Sequence, residues 1–384
     1  MAAYGMVLPL WHYAADGAHL LERAVGEVGL DHVTVPAVTG PVQDFRLDPL
    51  AELPHFETAG GWHYPPKTDR TRGKPAARPA SSSVGRIPPV RATWFGDSDV
   101  LENLADHARR LKIELVLRLD VRAAVRFSDF GLHAAQRNAW GQALPTAGAC
   151  ASHPDARELL RTTIEELGRY KPLGFQVVHW LPDDHVDRTL PRPLDWQPEA
   201  RALLDICFCA ACRQTAERAG VDADQAARAV RVSVGRLAEQ DADDDGCRDP
   251  LVTAYQEARA TECADWLRRL AACLGQFRCW LAHESDRTVP SVFFDLPRLV
   301  VVPPTCAIDE DRLQRLLSSI TTDLTVGLSL PVWRPAFSEA PRLVRLVGAA
   351  ARAGVCHFDF EGLPTTAAPA LTWLRQAVRF ARRG

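Results

Sequence analysis

Eight short apolar runs rich in strand-forming residues punctuate this chain of 384 residues, and amphipathic helical segments separate most of them. Parallel strands need a crossover between each neighbouring pair, and a helix is the usual one, so this alternation reads as repeated βα units around a parallel sheet. The expected strands are Met6–Trp11, His32–Pro36, Ile113–Leu119, Phe175–Trp180, Phe277–Ala282, Arg298–Val302, Leu324–Leu330 and Val355–Phe360. The expected helices are Ala18–Val28, Val100–Leu111, Asp155–Tyr170, Leu251–Leu274, Glu310–Ser319, Glu339–Ala353 and Pro369–Arg382. Gly29, Gly174 and Gly354 sit near helix ends, where a left-handed cap is expected, and Ser152 with Asp155 reads as a capping box ahead of Pro154. Eight βα units predict an α/β fold, a (β/α)8 barrel in one domain over 1–384. The fifth unit is the weakest, because Asp286–Leu296 is short for a full helix.

Three connections are far longer than the usual few residues: 38–96, 121–152 and 181–250. Each follows a strand, which puts it on the C-terminal rim where barrel active sites are built. The last holds two helical segments, Pro198–Ala219 and Ala223–Glu239, then an acidic turn at Asp241–Asp245 without calcium-loop spacing, read as a solvated connection. The stretch from Pro65 to Pro89 is rich in Pro, Ser, Arg and Lys and predicts little regular structure.

Within the third loop lies Cys207-Phe208-Cys209-Ala210-Ala211-Cys212. A Cys-x-Cys-x-x-Cys cluster reads as thiolate ligands for a tetrahedral metal, and Cys150, at the end of the second loop, is the candidate fourth ligand. Adjacent strands bring those two loops side by side, so one structural zinc could pin both. Buried packing cysteines are the bland alternative. Cys247, Cys263, Cys273, Cys279, Cys306 and Cys356 are scattered and read as core packing. Ten cysteines without an evident secretory leader suggest reduced thiols and a cytoplasmic protein. A net charge of −3 gives no nucleic-acid footprint, and no apolar run reaches membrane-spanning length.

The segments Leu8–Trp11, Ala149–Pro154 and Ile206–Arg213 resemble those of uncharacterised zinc-containing barrels regarded as glycoside hydrolases, and the cysteines resemble the zinc cluster of family 42 β-galactosidases. That resemblance implies a zinc-pinned barrel acting on sugars. The chain departs from it at the chemistry. Where the galactosidases carry an acid/base glutamate at the end of strand four, this chain reads His179-Trp180-Leu181-Pro182, and the end of strand seven reads Ser329-Leu330-Pro331-Val332-Trp333, with no carboxylate.

Glycoside hydrolysis needs two carboxyl groups, about 5–5.5 Å apart for retention. Strand-end acids are therefore the candidates: Asp184, Glu284, Asp359 and Glu361. His357, Asp359 and Glu361 share one face of strand eight, and three polar residues in a row inside a barrel suggest a site. Trp11, His12, Asp120, His179, Trp180, His185, Trp333 and His357 are the candidate substrate-binding residues, since aromatic faces and polar strand ends suit a small sugar-like ligand. Phosphate-loop, dinucleotide and serine-elbow motifs are absent. The expected function is a carbohydrate-active barrel resembling a glycoside hydrolase. The alternatives are a lyase or isomerase, with or without a metal, or a sugar-binding barrel without turnover.

Overall fold

The structure, a computed structural model, describes residues 2–45, 55–66, 87–125, 132–180, 202–238, 249–274, 278–284, 298–302, 325–332, 339–363 and 369–383. Eight parallel strands carry it: β1 (Ala3–Val7), β2 (His32–Thr39), β3 (Glu114–Leu119), β4 (Gly174–Val178), β5 (Arg278–Glu284), β6 (Arg298–Val302), β7 (Thr325–Pro331) and β8 (His357–Glu361). Each pairs with its sequence neighbours, and β1 pairs with both β2 and β8, so the pairings return to their start. The ladder is in register through Gly5, which lies opposite both His32 and Asp359.

Side chains alternate along each strand, and the two faces differ sharply in chemistry. Tyr4, Met6, Val33, Val35, Leu115, Leu117, Phe175, Val177, Leu328, Leu330, Phe358 and Phe360 are buried in one continuous apolar cluster with the helices. The opposite face carries His32, Thr34, Arg118, Gln176, Ser329, His357, Asp359 and Glu361, which bond to one another from strands that are not neighbours. These polar residues therefore point into the ring. The hydrophobic core sits between sheet and helices, while among the described residues the interior is largely polar, with Val116 and Trp280 beside it, where branched aliphatics usually dominate.

Helices α1 (Ala18–Arg23), α2 (Val100–Leu111), α3 (Pro154–Leu167), α4 (Ala210–Arg218), α5 (Ala223–Ala238), α6 (Pro250–Cys273), α7 (Ala340–Arg352) and α8 (Pro369–Arg383) follow six of the strands. In α2, Leu101, Leu104, Ala105 and Ala108 recur at helical spacing and are buried, and Asp99 caps the first turn by accepting from the Glu102 amide at 3.0 Å. α7 and α8 approach closely at Gly348, where a Cβ would stand 2.7 Å from the Phe380 ring. Helices α4, α5 and α6 build a second apolar cluster around the loop cysteines. The expected segments Asp286–Leu296 and Glu310–Ser319, the acidic turn Asp241–Asp245, and most of Pro65–Pro89 lie outside the described residues.

Three local expectations are corrected. The first strand is Ala3–Val7, not Met6–Trp11: Pro9 ends it and starts a helical turn, Leu10–His12, that carries Trp11 and His12. The cap of α3 is His153, whose Nδ1 accepts from the Asp155 amide at 3.2 Å, rather than Ser152. Gly29 and Gly354 take the left-handed cap positions, but Gly174 opens β4, where a Cβ would meet the Arg278 carbonyl oxygen at 2.2 Å. No described helix is long and apolar enough to cross a membrane.

Candidate functional site

The interior network begins at the ring floor. Asp359 is fully buried; its Oδ1 accepts from Thr34 Oγ1 at 2.6 Å and lies 3.0 Å from His32 Nε2. Its Oδ2 lies 3.2 Å from His357 Nε2 and accepts from the Gln176 amide nitrogen. Burial alone would raise this carboxyl, but the histidines beside it outweigh that and hold it well below the usual carboxylate range. The two imidazoles stack with centroids 4.2 Å apart, which Gly5 permits: a Cβ there would stand 2.2 Å from the His32 ring.

Above this floor, Arg118 Nε donates to Gln176 Oε1 at 3.0 Å. A guanidinium only donates, so this bond fixes the amide with its nitrogen toward Asp359. Arg118 Nη1 reaches Glu361 Oε1 at 2.7 Å, and Ser329 Oγ donates to the same oxygen at 2.5 Å. Glu361 ends β8 at the C-terminal mouth, partly exposed, with its bonds gathered on one oxygen. Glu284 is the last residue of β5.

A second pair occupies the ends of β3 and β4. Asp120 Oδ1 caps the helical turn Val121–Ala124, and its Oδ2 lies 2.9 Å from His179 Nδ1. His179 is left-handed, at φ 54, a strained conformation for a residue with a Cβ. Buried Arg122 braces it, donating Nη1 to the His179 carbonyl and Nε to the Ala149 carbonyl at 2.6 Å.

The predicted aromatic residues divide differently. Trp11 is buried, stacked on Phe56 at 4.9 Å, and donates to Asp44 Oδ2 at 3.0 Å, the oxygen that His12 Nε2 also approaches at 2.8 Å. Trp180 is buried against Trp266 of α6 at 5.5 Å. Both anchor elements by packing. Nearby, Trp94 Nε1 donates to His63 Nδ1 at 2.8 Å, which leaves the His63 proton on Nε2, donated to Thr39 Oγ1 at 2.7 Å. Burial lowers the His63 pKa to about 3, so it is neutral. Asp184, His185 and Trp333 lie outside the described residues.

The four expected thiols do converge. Cys150, Cys207, Cys209 and Cys212 are buried, with their sulfurs within 4.8 Å of one another, a group that can hold a metal ion. Cys150 Sγ lies 3.4 Å from Cys212 Sγ and 3.8 Å from Cys207 Sγ. The Arg137 amide donates to Cys207 Sγ at 3.5 Å, the outer support that thiolate ligands attract. Hydrogen bonds among the thiols hold Cys212 well below the ordinary thiol range and Cys209 below it, whereas burial pushes Cys207 well above that range and Cys263, outside the cluster, up to about 12. Cys263 is core packing as expected, but Cys273 is exposed.

No family model and no curated protein matches the chain. Solved structures do. A β-galactosidase from the psychrophilic Marinomonas ef1 superposes with a TM-score of 0.51 at 10% identity, over 98% of this chain and 59% of that one. Isomaltulose synthase from Klebsiella sp. LX3 gives 0.46 at 9% identity, over 96% and 66%. A family 18 chitinase from Cycas revoluta gives 0.41 at 10% identity, over 98% and 100%. The chain spans about three-fifths of the β-galactosidase's length. At such identity the likeness is one of fold alone.

Sequence reasoning missed Arg118, Gln176, Ser329, His32 and Thr34. Their signal was present: a charged or polar residue inside each otherwise apolar strand, in the same alternation as the polar face of β8.

Proposed function

We propose that the chain is a complete (β/α)8 barrel in one domain, with rim loops 38–96, 121–152 and 181–250, that cleaves the glycosidic bond of a small glycoside. The observation that carries this reading is Glu361: a carboxylate at the C-terminal mouth, held through one oxygen by Arg118 and Ser329. That arrangement orients Oε2 as the reacting oxygen, while Arg118 keeps the anion matched as charge develops at the sugar. Glu284, at the end of β5, is the partner acid, with Asp184 the other candidate. Asp359 is shielded from any substrate by its burial and supports from beneath. Of the two candidate histidines, the partly exposed His179 positions the sugar while buried His12 is held by Asp44, and zinc at the four cysteines is structural, as in family 42 β-galactosidases. Reduced thiols fit a cytoplasmic location.

One observation favours a second reading. A strained histidine oriented by a carboxylate, as His179 is by Asp120, suits the proton transfers of a lyase or isomerase.

The test is turnover of a panel of nitrophenyl and natural-product glycosides by metal-quantified protein. Turnover abolished by Glu361→Gln supports the hydrolase; turnover that survives Glu361→Gln but is lost in Asp120→Asn supports the dyad. Silence across the panel from folded, metal-loaded protein overturns it and leaves the dyad chemistry or binding without turnover.

A further inference from the structure

We propose that His32, His357 and Asp359 form a second metal site, for a divalent zinc-like cation, on the floor of the strand ring. Two imidazole Nε2 atoms and a carboxylate converge there within 4.8 Å, all from buried residues. The nitrogens lie 3.0 and 3.2 Å from the two carboxylate oxygens, near the roughly 3.3 Å separation of donors around a tetrahedral zinc with bonds of about 2.0–2.1 Å. Two imidazoles and the Asp359 carboxylate supply three protein donors of the nitrogen and oxygen type that suits zinc over calcium or magnesium.

The surroundings are those of a built site. Metal-bound carboxylates are themselves hydrogen-bonded from outside, and here Thr34 supports one oxygen and Gln176 the other. Gln176 is in turn aligned by Arg118, which ties the floor to Glu361 at the mouth. Gly5 leaves the volume that the His32 ring fills, so the stacked pair is accommodated by the backbone of a neighbouring strand. Charge points the same way. Among the described residues the network holds two carboxylates, Asp359 and Glu361, against one guanidinium, Arg118, and a buried carboxylate demands a nearby cation. An imidazolium at His32 or His357 is the competing source of that charge. The site stands apart from the thiol cluster and does not rest on the hydrolase reading.

The experiment strips the full-length protein with a chelator, reloads it with zinc, removes excess and counts metal per chain. The expected result is two ions in the parent, one in Cys209→Ser and one in His357→Asn. Thr34→Val should keep two while weakening the floor site about 10- to 100-fold, as lost outer support does. His133→Ala should also keep two, which separates this site from the partly exposed His133–His153–Asp155 group. Cobalt reloading covers variants that fail to fold: in the parent it should show ligand-field bands of a nitrogen–oxygen site beside thiolate charge transfer. A single ion per chain with thiolate-only cobalt bands, or a second ion lost with His133→Ala, overturns the proposal and leaves the imidazolium–carboxylate pair.

Discussion

Glu361 is the residue on which the proposed chemistry turns. Replacing it with Gln keeps the shape and removes the charge; turnover should fall by about 10²–10⁴-fold in kcat, the usual share of a positioned acid or base. Ser329→Ala removes one bond to a charged oxygen that orients Glu361 and should lower kcat/KM about 10- to 100-fold at fixed pH. His63 makes a separate prediction about stability. Its pKa falls from the free value to about 3 on folding, so between those values the unfolded chain binds the extra proton. Stability should therefore rise with pH from about 3 to 6.5, by roughly 1.4 kcal/mol per pH unit for this one group. Chemical denaturation at several pH values checks it: His63→Gln should flatten that slope, and an unchanged slope would assign it elsewhere.

At the scale of elements, the tightest constraint is steric. Ala at position 5 would drive a methyl into the His32 ring, and overpacking of that kind costs roughly 1–3 kcal/mol. Gly5→Ala should lower the melting temperature, whereas Ala at Gly26, where a Cβ meets nothing within 4 Å, should not. Strands two to eight were legible in the sequence because Val, Leu and Phe mark them every second residue, as in Glu114–Leu119 and His357–Glu361. The first strand was misread because Trp11 and His12 continue its apolar run past Pro9, and only backbone geometry reveals the turn. The polar lining was half legible. Alternation in β8 put His357, Asp359 and Glu361 on one face, but their partners depend on register across the ring, which no local pattern carries. The tryptophans misled for a related reason: Trp11 and Trp180 lie at strand ends yet pack against Phe56 and Trp266, residues far off in sequence.

At the scale of the molecule, the four thiols bring two rim excursions together, and if they hold the proposed structural metal, Cys209→Ser should release it and lower the melting temperature more than it alters chemistry at the mouth. Unchanged melting with metal retained would remove the structural role. The ring itself has a temporal side. Asp359 meets His32, 327 positions away in the sequence, and Ala3 pairs with His357, so the polar floor is complete only once β8 docks beside β1. Until then β1 and β2 offer an open edge, and His32 and Thr34 have no carboxylate to satisfy. The step that seals the ring thus joins the most widely separated of the described strand pairings, the kind of contact that forms slowly.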